Sequence, residues 1–157
     1  MLFDTIVNFL HSLATVLWIG GMLFMKLVLL PAQAAIDPPQ RGRLMGAAAA
    51  RFTTVAWTSV VILVVTGLLR TPAGRLMDFG SQYGVALAVK HLLIVAMIVI
   101  GLVISLGVVP KLKSLAPAPG QLPPAAFVAA QGRLDLLSAI NTVLGLLVLL
   151  AVAVMRS

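Results

Sequence analysis

Four long apolar stretches alternate with short segments that hold the prolines and most of the charge. They cover positions 5–30, 52–69, 85–109 and 134–155, and apolar positions 44–50 extend the second one backwards. A helix needs about 20 mostly apolar residues to cross hydrocarbon, so the pattern predicts four membrane spans. All nine prolines lie outside these stretches or at their ends: Pro31, Pro38, Pro39, Pro72, Pro110, Pro117, Pro119, Pro123 and Pro124. Helices require this placement, because proline removes a backbone donor and crowds the preceding turn. Asp4 is read as the N-cap of the first helix, and Pro31 and Pro110 as the stops of the first and third. The segment 110–133 holds five prolines and reads as an extended linker, clearest over 110–124. The predicted fold class is all-α, an integral membrane four-helix up-down bundle, with 1–157 as a single domain.

Composition narrows the reading. Apolar residues make up 61% and charged residues 10%, with mean hydropathy +1.14. Soluble domains run near 45–50% and 25%, so a soluble globule and a disordered chain are both excluded. There is no cysteine, which removes disulfide frameworks, thiolate metal sites and cysteine nucleophiles. Glutamate is absent and the four acids, Asp4, Asp37, Asp78 and Asp135, are dispersed, so a di-iron carboxylate site is not expected. No phosphate loop or nucleophile triad occurs.

The net charge is +7, from 11 basic and 4 acidic residues. The basic residues stand singly between apolar runs, as anchors at a membrane surface do. The expected partner is therefore a lipid bilayer and not nucleic acid. Arg41, Arg43, Arg51, Lys111, Lys113 and Arg133 follow spans one and three, against Arg70, Arg75, Arg156 and Lys90 on the other side. Six against four places both termini outside the cytoplasm of an inner, or plasma, membrane. The first span lacks an initial basic region and is too long for a signal core, so it reads as a retained helix.

The chain has two histidines, both inside predicted spans. His11 lies seven residues past Asp4 and His91 seven past Gly84, which puts each about 10 Å along its helix. Spans one and three run in the same direction, so the two rings share a depth. One reading is axial ligation of a haem b by His11 and His91, with Arg70 and Lys90, and Arg75 nearby, as partners of the propionates. Each ring's second nitrogen then needs a partner, and Asn8, Ser12 and Thr15 are the candidates beside His11. The other reading gives each histidine an interhelical hydrogen bond and nothing more. Met22 and Met25 continue the His11 face through Thr15 and Trp18 and could bind copper(I), although methionine in an apolar helix usually packs. Met155 is a weak alternative to one axial histidine. Asp135, Ser138, Asn141, Thr142 and Gly145 line one side of span four, and Asn141 is expected to hydrogen-bond across helices. Gly20, Gly21, Gly101 and Gly107 would allow close helix approach.

The run HSLATVLWIGGMLF, with His11, Trp18, Gly20, Gly21 and Phe24, resembles the first helix of CopD-type copper-resistance membrane domains and of the related HemJ-type protoporphyrinogen oxidases. The stretch YGVALAVKHLLIVAM is similar to their later helix with a lysine near its start, which is Lys90 here. Asn141 is similar to an asparagine in the last helix of the HemJ type. That type also carries a histidine where this chain has Ala88, and Asn-Glu where it has Asn141-Thr142. The resemblance implies a four-helix membrane unit. On the HemJ side it implies haem b and porphyrinogen oxidation, with the family histidine at His11. On the CopD side it implies copper uptake or tolerance.

Together these readings favour a membrane haem b redox protein. It would exchange electrons with a quinone or a partner protein, with HemJ-like enzymatic turnover as a variant. A CopD-like copper transport or tolerance protein is the alternative. A structural subunit of a larger membrane complex, or of a homo-oligomer, is the third reading.

Overall fold

The computed structural model describes residues 1–71, 80–118 and 121–155, apart from the side chains of Pro38 and Pro39. The described residues form helices and no strand. Four helices are long and apolar enough to cross a membrane, with mean window hydropathies of 2.0 to 3.1. They are α1 (Leu2–Ala35), α2 (Pro38–Arg70), α3 (Gln82–Ser114) and α4 (Ala125–Val154).

Prolines do not end α1 and α3 where the sequence pattern places the stops. Helix α1 runs through Pro31 to Ala35, and α3 runs through Pro110 to Ser114. Each proline follows a π-helical segment, Met25–Leu29 in α1 and Val103–Val108 in α3. A helical proline lacks the N–H for the carbonyl four residues back, and its ring crowds that carbonyl. Those carbonyls belong to Leu27 and Leu106, both inside the π segments, where bonding shifts to i→i+5. The wider turn absorbs the proline.

Other boundaries also move. The first helix starts at Leu2 with Met1 at its N-cap. Asp4 therefore sits in the first turn, where it pairs with the terminal ammonium at 3.1 Å. Helix α2 begins at Pro38, well ahead of position 52, because proline suits the first helical turn. Helix α4 begins at Ala125, so the proline-rich connection is shorter than 110–133. The stretch 125–133 holds four alanines, the best helix former. Ser81 caps α3 by accepting a hydrogen bond from the Gly84 N–H at 3.1 Å.

The chain divides into two compact units, Met1–Phe79 and Gly80–Ser157. In the first, α1 packs against α2 as an antiparallel hairpin, with His11 beside Thr66 at one end and Gly21 beside Phe52 further along. Val7, Ala14, Trp18 and Met22 mark the buried stripe of α1 at helical spacing. Arg41 ties the turn by donating to the carbonyls of Ala34 and Ile36 at 3.4 and 3.1 Å. In the second unit α3 packs against α4. Leu87 and Met97 are almost fully buried on α3, and Asn141, Thr142, Gly145, Val148 and Ala151 are buried on α4.

The pattern of exposure is the reverse of a soluble protein's. Val61, Leu68, Leu92, Leu106 and Leu150 are each 60% or more exposed, whereas Ser59, Thr66, Asn141 and Thr142 are buried. An apolar outer surface of this kind is stable only against lipid.

A Cβ built on Gly21 would lie 2.5 Å from the Phe52 ring, so this glycine sets the approach of α2. Gly107 plays no such part, since a Cβ there meets nothing within 4 Å. We expect Gly21→Val to destabilise the first unit by about 1–3 kcal/mol, read as a lower unfolding temperature in detergent, with Gly107→Val close to neutral.

Candidate functional site

His11 lies on the inner side of α1, one turn before Thr15, whose hydroxyl donates to the His11 carbonyl at 2.8 Å. The ring partner comes from α2. His11 Nδ1 is 2.7 Å from Thr66 Oγ1, and that hydroxyl lies 2.6 Å from the Ile62 carbonyl. A hydroxyl carries one proton, and a carbonyl can only accept. Thr66 therefore donates to Ile62 and accepts from His11 Nδ1–H. In the neutral ring this leaves the lone pair on Nε2. Gly67 faces the same ring, where an added Cβ would sit 3.8 Å from His11 Cε1. Thr66 is 4% exposed, so water does not replace it.

The sequence pattern offers Asn8, Ser12 and Thr15 as partners of this ring, and the structure instead uses Thr66. The reason is geometric. A hydroxyl at i+4 is best placed to bond back to the backbone of its own helix, as Thr15 does. Thr66 faces the ring from the neighbouring helix, 55 residues away in sequence.

His91 is held differently and reaches the same state. Its Nδ1 is 2.7 Å from the Leu87 carbonyl one turn back on α3. A carbonyl only accepts, so Nδ1 carries a proton, and in the neutral ring the lone pair is then on Nε2. A backbone carbonyl on Nδ1–H is a common arrangement behind a metal-binding Nε2.

Of the other expected site residues, Arg70 is exposed at the end of α2, one turn beyond Thr66, and therefore at the His11 end of the first unit. Lys90 is half-buried on α3 beside His91. Arg75 and Arg156 lie outside the described residues. His11 and Arg70 belong to the first unit and His91 and Lys90 to the second. Among the described residues no three of His, Cys, Asp and Glu come together around one point. Met22 is buried on the His11 face and Met25 is half-buried.

Asn141 does not make the expected cross-helix bond through its oxygen. The side chain is 7% exposed, and Oδ1 is buried without a hydrogen-bond partner. Its neighbour Thr142 instead donates back to the Ser138 carbonyl at 2.8 Å.

A family model described as CopD, Copper resistance protein D, matches residues 46–155, well over half of the chain. The chain belongs to the CopD family. No curated protein and no solved structure matches it. The CopD match takes in α2 beyond its first turns, α3 and α4, and with them Thr66, Arg70, Lys90, His91 and Asn141. His11 and the HSLATVLWIGGMLF run lie ahead of the matched residues.

Thr66 is the residue that hydropathy reading of this CopD-family chain misses, because threonine in an apolar span carries no periodic signal of its own. In the purified protein, proton–nitrogen spectra of the rings are expected to show His11 protonated at Nδ1. Thr66→Val should shift this ring toward the other tautomer and cost about 1–3 kcal/mol of stability, and Thr66→Ser should restore both.

For Asn141 the expected effect has the opposite sign. Asn141→Leu removes an unsatisfied buried amide and should raise stability by about 1–3 kcal/mol, read by thermal unfolding in detergent.

Proposed function

We propose that this CopD-family chain binds copper ions within the membrane and passes them on, with the Nε2 atoms of His11 and His91 as the nitrogen ligands. His91 carries the reading. It lies inside the CopD-matched residues, and its Nδ1–H is committed to the Leu87 carbonyl, so in the neutral ring Nε2 is the nitrogen that can bind a metal. Imidazole suits copper in both common oxidation states, and with no cysteine in the chain the soft donors are the methionine thioethers. Met22 lies about 16 Å from His11 along α1, so it would serve a separate step. An ion in transit needs ligands that hold it without caging it, and one imidazole in each unit fits that need better than storage.

A second reading keeps the expectation from the sequence of a haem b redox protein, with histidine as axial ligand and electrons going to a quinone or a partner protein. HemJ-like porphyrinogen oxidation is a variant of that reading.

Copper accumulation by cells expressing the full chain, together with copper affinity of the purified protein, tests the first reading. Affinity should fall about tenfold or more for His91→Ala, and likewise for His11→Ala. Copper binding and accumulation unchanged in both variants would overturn it. A Soret band from protein made with ample haem, lost in both histidine variants, would select the haem reading instead.

A further inference from the structure

At one end of the second unit, α3 and α4 enclose a groove of about 350 Å³. Two cations stand on its wall, Lys111 from α3 and Arg133 from α4, both exposed. Its floor is apolar and small, with Val103, Gly107, Val108 and Ala130. Among the described lining residues there is no carboxylate. There is free room over Gly107, where an added Cβ would meet nothing within 4 Å.

The position in the chain matters as much as the charge. The apolar run of α3 ends at 109 and that of α4 begins at 134. Lys111 and Arg133 therefore flank the hydrocarbon boundary from two helices at one level. A larger groove of about 510 Å³ at the other end of the same helix pair is lined by apolar side chains and Gln82, with no cation. Snorkelling alone explains single cations at a boundary. It does not explain two of them sharing one groove whose floor lies on the hydrocarbon side.

We propose that this groove is a binding site for an anionic phospholipid of the surrounding bilayer. The headgroup phosphate would lie between the Arg133 guanidinium, which can meet two phosphate oxygens at once, and the Lys111 ammonium. The first part of an acyl chain would run over Gly107 and Val103. Basic pockets between membrane helices select lipid headgroups by this chemistry. Lys111 of the groove lies about 30 Å along α3 from His91, and the proposal does not depend on the copper reading.

The test is native mass spectrometry of the full chain released from mixed phosphatidylglycerol and phosphatidylcholine nanodiscs. The expected result is retained phosphatidylglycerol in preference to phosphatidylcholine. Retention should fall about tenfold in the Lys111→Gln, Arg133→Gln double variant and stay unchanged in Arg43→Gln, an exposed cation of the other unit. Gly107→Leu keeps both charges and fills the floor, so it should also lose the lipid. Equal retention of the two lipids, or an unchanged double variant, would overturn the proposal. So would retention unaffected by Gly107→Leu, which would leave only diffuse charge attraction. Displacement by millimolar inorganic phosphate would assign the groove to a free anion and overturn the lipid assignment.

Discussion

The hydrogen bond from His11 to Thr66 ties the two helices of the first unit together where no water can take its place. In hydrocarbon each unpaired polar atom costs several kcal/mol, so this contact sets the pairing of α1 and α2 more sharply than apolar packing does. Sliding α2 by one residue turns Thr66 through about 100° and strands the imidazole nitrogen. The Thr66 proton is already spent on the Ile62 carbonyl, so the bond has one direction. Helix pairing and ring tautomer are therefore the same constraint. Gly21 beside Phe52 lets the helices come close enough to meet it.

The same cost explains which parts of the fold are legible in the sequence. Spans are legible because a helix is the open structure that satisfies its own backbone, so long apolar runs have one outcome. Helix ends are less so. Pro31 and Pro110 are ordinary stop signals, yet π segments around Leu27 and Leu106 carry both helices past them. Nothing in the residue types marks a π segment: a third one, Val16–Gly20 in α1, has no proline near it.

The candidate site divides along a similar line. Both histidines stand out because hydropathy never asks for one inside a span. Their partners do not. The Leu87 carbonyl belongs to the backbone, which every residue has, and Thr66 is one of several threonines in α2. The resemblance seen in the first span also lies ahead of the residues that place the chain in the CopD family, which begin at 46. The CopD match therefore covers the position of His91 and not that of His11.

Two demands on charge meet in the second unit. Anchoring asks for cations at the membrane boundary, and Lys111 and Arg133 also share one groove, with Lys113 two residues from the first. At physiological salt such charges act over about 8 Å, and further where lipid displaces water. Simple anchoring would be served by cations spread around the boundary, as Arg41, Arg43 and Arg51 are spread along α2. Convergence on one groove makes sense when a fixed anion occupies it. A lipid phosphate there would cancel most of the local field and hold α3 against α4 beyond the π segment, where the backbone of α3 departs from regular α-helix. In that arrangement the bilayer itself completes the charge balance of this end of the unit.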